Sequence, residues 1–124
     1  MQVDLLWIAV LISGVTFVIH TFVGGSRVAT PLLEDTTLPL ASKWLNYYCW
    51  HIVTIYTFLM SGGYAFVALN PDKIELVIFL TLLNSCFACL SVAVAMKGKI
   101  HPLRFPSTTL FSLVSLVGLA SLLV

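Results

Sequence analysis

Charge is the scarcest commodity in this sequence. Six Lys and Arg and five Asp and Glu make up only 9% of its 124 residues, where a soluble domain carries about a quarter. So few charges cannot coat a water-facing surface, which excludes a soluble globular domain and leaves lipid as the solvent. Net charge is +1 and no basic run is present. With nothing to neutralise phosphates, nucleic acid is excluded as a partner. Cysteine is also sparse, and the count is odd: Cys49, Cys86 and Cys89. The CxxC at Cys86 and Cys89 has no second pair and no following histidine, which argues against a zinc ribbon or a c-type haem attachment, and no disulfide framework is expected. No carboxylate lies deep in an apolar run, since Asp4 and Glu75 stand at segment ends. That lack disfavours a proton-coupled transporter. A basic stretch before the first apolar run is missing too, so that run is expected to be a retained span rather than a cleaved leader.

What is present is hydrophobic residue, at 60% of the chain, with a mean hydropathy of +1.05. Four apolar segments stand out, at about 5–23, 44–69, 74–96 and 106–124. A helix needs roughly 20 residues to cross about 30 Å of hydrocarbon. Backbone groups in lipid must bond within their own segment, so helices are the expected form. The fold class is therefore an all-α, integral membrane four-helix bundle, one transmembrane domain over residues 1–124. The second segment is long, with room for tilt, protrusion or loosening at Ser61-Gly62-Gly63. Gly24-Gly25 is expected to end the first helix. Asn70-Pro71-Asp72 offers an N-cap, a proline at the first helical position and an acid at the positive helix end for the third. Pro106, followed by Ser107 and Thr108, opens the fourth in the same way.

Orientation is read from Lys and Arg. Loops 24–43 and 97–105 hold Arg27, Lys43, Lys97, Lys99 and Arg104, against Lys73 alone in the second loop. The bias places those two loops in the cytoplasm and both termini on the other side. In chain length and helix order the sequence resembles the small trimeric glutathione-transferase-like eicosanoid enzymes of membranes. The likeness is one of architecture only. Their arginine-rich glutathione-binding set has no counterpart in the five basic residues of these loops, so no membership is assigned.

Candidate site residues come from depth and face. His20 lies about 5 Å inside the expected cytoplasmic end of the first helix, and His51 about 10 Å inside the second, at 1.5 Å per residue. Cys49 and Cys89 fall in the same slab, and His101 stands in the loop before the fourth helix. Helical spacing puts Ser13, Thr16 and His20 on one face. It does the same for Tyr47, His51, Thr54 and Phe58, and for Thr81, Asn84, Ala88 and Ser91. Polar groups in lipid are costly and usually face the bundle interior. His20 and His51 are expected at one level, with Tyr47, Cys49, Asn84, Cys89 and His101 as further ligand or metal contacts. Asn84 is also expected as an interhelical hydrogen-bonding residue, and Cys86 and Cys89 as small buried filler. Ser112, Ser115, Gly118 and Ser121 recur every three residues and are expected to pack helices closely. Trp44, Tyr47, Tyr48 and Trp50 read as an interfacial aromatic belt. In the first loop, Pro31-Leu32-Leu33 and Leu38-Pro39-Leu40 suit the headgroup region or a lid over a cavity, and Glu34-Asp35 suits a solvated turn.

Three functional readings follow. The first is a binding and assembly protein. It holds a hydrophobic ligand or partner helices, has a histidine site on the cytoplasmic side, and has as partners the lipid bilayer and further copies or a larger membrane complex. The second is a redox protein with haem or copper held by histidines from two helices. The third is a membrane enzyme acting on a lipid-soluble substrate, with His51, Tyr47 or Cys49 as acid, base or nucleophile.

Overall fold

The computed structural model describes residues 1–124, and every regular element is helical. In chain order these are α1 (Val3–Val18), a π-helical segment (Ile19–Ala29), α2 (Thr30–Glu34), α3 (Leu40–Leu69), α4 (Ile74–Lys97), a 3₁₀ turn (Pro102–Arg104) and α5 (Pro106–Leu123). The first three run on without a break, so the chain has four rods, each long and apolar enough to span a membrane. This is the all-α four-helix arrangement of a multi-pass membrane protein.

The rods form a ring. α1 packs on α3 and α5, and α4 packs on α5 and, less extensively, on α3; α1 and α4 lie diagonally opposite. Inward residues recur mostly at steps of three and four. On α1 and its extension they are Leu6, Ala9, Ser13, Thr16 and His20. On α3 they are Trp50, Val53, Thr57, Met60, Tyr64 and Val67. On α4 the buried set is Val77, Leu80, Thr81, Asn84, Ser91 and Ala95, and on α5 it is Thr108, Phe111, Val114, Gly118 and Ser121. This is the spacing of helices that meet along a continuous seam. Outward faces carry Leu11, Phe22, Ile55, Leu82 and Leu116, all exposed on the chain, as a lipid-facing surface requires. Two ends are tied: the Gln2 amide donates to the Ser121 carbonyl at 3.1 Å, pinning the start of α1 to the end of α5.

Several boundaries differ from the expected ones. Gly24-Gly25 does not end the first helix, and neither glycine has positive φ. Gly24 is small for another reason. A Cβ there would lie 2.6 Å from Cη2 of Trp50, so the glycine makes room for an indole. α3 begins at Leu40, before the expected Trp44, and stays unbroken through Ser61-Gly62-Gly63. Gly63 lets Leu80 of α4 approach, since a Cβ would meet its Cδ1 at 2.9 Å. Asn70 does not cap α4. It closes α3, with Nδ2 donating to the Phe66 carbonyl at 2.8 Å, while α4 starts after Lys73 with no side-chain cap. The hairpin is as tight as expected, but Asn70 serves the helix behind it, and Asp72 pairs with Lys73. Pro106 does stand in the first turn of α5.

Rod lengths differ, and the difference shapes the molecule. α3, with 30 residues, is about 45 Å long at 1.5 Å per residue, and α5, with 18, only about 27 Å. The long rods therefore overshoot the short one at the end bearing α2. There Lys43 Nζ donates to the Leu33 carbonyl at 3.0 Å, and Asp35 organises the connection to α3.

Candidate functional site

A cavity of about 690 Å³ opens at that end, between α3 and the α4–α5 pair. Pocket volumes for small hydrophobic ligands run from roughly 300 to 1,000 Å³. Its floor is an aromatic cluster: Tyr56 stands edge-on to Phe87, ring centroids 4.9 Å apart, and Phe87 is tilted against Phe111 at 5.4 Å. Trp50 and Val53 form the α3 wall, with Leu90 and Val94 from α4 opposite. Val28 and Leu32 close over it from the π-helical segment and α2. Of Pro31-Leu32-Leu33 only Leu32 lines the cavity, from a helix rather than a loop. Ile52, Leu90 and Val94 are all exposed, so the mouth is lined by residues of the lipid-facing surface.

Four polar residues share the lining: His20, Asn46, Ser91 and Ser107. His20 lies flat against Trp50, rings stacked at 4.0 Å and 19°, and its Nε2 lies 3.2 Å from the Trp50 carbonyl oxygen. A carbonyl only accepts, so Nε2 carries the proton. His20 is the second residue of the π-helical segment, a geometry that is rare and is often found at functional sites. Ser91 and Ser107 also line the cavity. The Ser91 hydroxyl bonds those of Ser107 and Thr108 at 2.7 and 2.8 Å. Asn46 completes the rim, its Nδ2 donating to the Ser42 carbonyl at 2.8 Å.

The expected site residues divide. His20 and Cys49 line the cavity. His51 is at the level of His20, because it follows Trp50, but it is exposed and meets Tyr47 edge-on at 4.5 Å. The expected inward stripe Tyr47, His51, Thr54 and Phe58 is therefore not the buried face of α3, which is rotated to Trp50, Thr57, Met60 and Tyr64. The bundle interior takes Met60 and Tyr64, and Phe58 stays outside at 62% exposure. Cys86 and Cys89 are not buried filler; all three cysteines are exposed. His101 is an exposed residue whose Nδ1 accepts from the Leu103 amide at 3.3 Å. No group of three His, Cys, Asp or Glu side chains converges anywhere. The Glu34-Asp35 corner is a solvated turn: Oδ1 of Asp35 accepts from the Thr37 amide and hydroxyl and the Leu38 amide, at 2.6, 2.7 and 3.1 Å.

Asn84 and the small-residue stripe lie deeper. Asn84 is fully buried; Nδ2 donates to the Leu80 carbonyl at 2.7 Å, and Oδ1 has no partner. Gly118 is buried where a side chain would collide with Thr81 and Tyr64. Ser115 bonds Ser85 at 2.5 Å, and Ser121 turns back onto the Gly118 carbonyl. Ser112 is half-buried.

No motif in the sequence marks Trp50, Tyr56, Phe87, Phe111, Ser91 and Ser107 as one site. The pointer in the sequence was the three-four spacing through Trp50, Val53, Thr57, Met60, Tyr64 and Val67, which sets the inner face of α3. No family of proteins matches this chain, and neither a curated protein nor a solved structure is similar to it.

Proposed function

We propose that this is a membrane binding protein that takes a small hydrophobic molecule from the bilayer into the cavity between α3, α4 and α5. One observation carries the reading: an apolar cavity of about 690 Å³, floored by aromatic rings, opens among lipid-facing residues and includes a few polar groups, His20 among them, in its lining. A mostly apolar lining with a few polar groups matches a ligand with an apolar body and a small polar head. In this reading the mouth lies on the cytoplasmic side, from the excess of Lys and Arg in loops 24–43 and 97–105. Partner helices belong to the same proposal. A groove between α1 and α3 exposes Gly14, Ser61, Gly62 and Ala65 between Phe17 and Phe58, the small-residue surface that helices use to associate in lipid.

Trp50 reports on the cavity it lines. In a chain carrying Trp7→Phe and Trp44→Phe, a brominated alkane is expected to quench Trp50 saturably in lipid nanodiscs. Val53→Phe, which puts a ring into the cavity, is expected to abolish saturation. Quenching that rises in proportion to the probe's mole fraction in both proteins would defeat the proposal.

A further inference from the structure

We infer that the end of the bundle bearing α2 and the α4–α5 connector is a docking surface for anionic phospholipid headgroups. Nothing in it depends on the cavity holding a ligand.

The fold sorts the charges to opposite ends. Arg27, Lys43, Lys97, Lys99 and Arg104 all stand at this end, with Glu34 and Asp35 as its only carboxylates. Asp4, Asp72, Lys73 and Glu75 stand at the other. One end therefore carries three net positive side-chain charges and the opposite end two net negative ones. Folding leaves the positive end unneutralised. The one ion pair of the chain, Lys73 with Asp72 at 2.6 Å, is at the other end. Arg27, Lys97, Lys99 and Arg104 are exposed and pair with no carboxylate. Asp35 is occupied with Thr37 and Leu38.

Depth and apolar surface select a lipid as the partner. α5, with 18 residues, is about 27 Å long, close to the thickness of the hydrocarbon, about 30 Å. The connector 97–105 leads straight into Pro106, so it stands at headgroup depth. It is a built turn: the Lys99 and Ile100 amides donate to the Met96 and Ala95 carbonyls at 3.0 and 2.9 Å, and the Arg104 amide to the His101 carbonyl at 2.8 Å. Between Lys97, Lys99 and Arg104 this turn exposes Ile100 and Leu103. Apolar side chains interleaved with cations suit a layer whose phosphates lie just above acyl chains. An acidic peptide in water answers the cations alone; a lipid leaflet answers Ile100 and Leu103 as well. A zwitterionic headgroup carries its own cation and offers a net positive surface no net countercharge. A serine phospholipid, with net negative charge, does.

Electron spin resonance of spin-labelled lipids tests this with the full chain in phosphatidylcholine bilayers. Spin-labelled phosphatidylserine is expected to associate with the protein surface about five-fold more strongly than spin-labelled phosphatidylcholine, read from the motionally restricted fraction. About 1 M sodium chloride, where the screening length is about 3 Å, should cut that preference by at least half. Lys97→Gln, Lys99→Gln and Arg104→Gln combined should bring it below about two-fold, since each removes one cation from the headgroup layer. Lys73→Gln, at the other end, should leave it unchanged. Equal association of the two lipids would overturn the assignment, as would a preference that the triple variant keeps. Polyglutamate added to phosphatidylcholine nanodiscs is not expected to bind; its binding, with no preference for the serine lipid, would move the surface to a protein partner and overturn the lipid reading.

Discussion

The imidazole of His20 lies flat on the indole of Trp50, 4.0 Å between ring centres, and its Nε2–H reaches the carbonyl of that same residue. Stack and hydrogen bond together fasten the π-helical extension of the first rod to α3. An aromatic pair of this kind contributes about 0.5–1.5 kcal/mol beyond its burial.

Gly24 is the space in which that indole sits. Gly24→Ala places a methyl 2.6 Å from Cη2 of Trp50, and overpacking of this sort costs about 1–3 kcal/mol. Denaturant unfolding in mixed micelles measures it. The same substitution in a Trp50→Leu background should cost less than half as much; an equal cost in both would mean that the clash is elsewhere.

Gly118 has the corresponding role between α5 and its neighbours. Gly118→Ala drives a methyl into Thr81 and Tyr64, with an expected loss of about 1–3 kcal/mol. The nearby Ser85–Ser115 pair should be worth less, about 0.6 kcal/mol in a double-mutant cycle, as for other hydrogen bonds between membrane helices. A coupling above about 2 kcal/mol would contradict this ranking.

Lys99 is the one non-glycine residue with positive φ, at 55°, just past the end of α4. The left-handed region costs an L-residue roughly 1–2 kcal/mol, partly returned because glycine is freer when unfolded. Lys99→Gly should raise stability by about 0.5–1 kcal/mol. Thermal unfolding in detergent checks the sign, and a lowered midpoint would refute it.

The Asp35 carboxyl is held below its ordinary range, first by the Thr37 hydroxyl and then by the Thr37 and Leu38 amides. A depressed value means that the turn is at full strength above the ordinary carboxylate range and loosens as pH falls through the lowered one. NMR titration should place Asp35 below a free aspartate, and exchange of the Thr37 and Leu38 amides should quicken over the same acid interval. In Asp35→Asn that pH dependence should vanish.

How much of the site was legible depended on the residue. His20 was, because a lone histidine in a span is costly and turns inward. His51 was read by the same rule, yet it is exposed; one step along a helix turns a side chain by about 100°, and Trp50 took the inward position. The boundary at Gly24 misled for a related reason. Glycine serves both helix ends and close contacts, and only the position of the indole distinguishes them.

Composition alone determined that this chain lives in lipid as four helices, because backbone groups in hydrocarbon have no alternative partner. It determined the approximate spans as well, since hydrocarbon thickness sets their length. The face of each helix that turned inward was decided by tertiary structure, which buries Met60 and Tyr64 and leaves Phe58 outside. The cavity was decided there too. It arises from the mismatch between a 30-residue α3 and an 18-residue α5, and from walls drawn from every rod, which no single stretch of sequence contains.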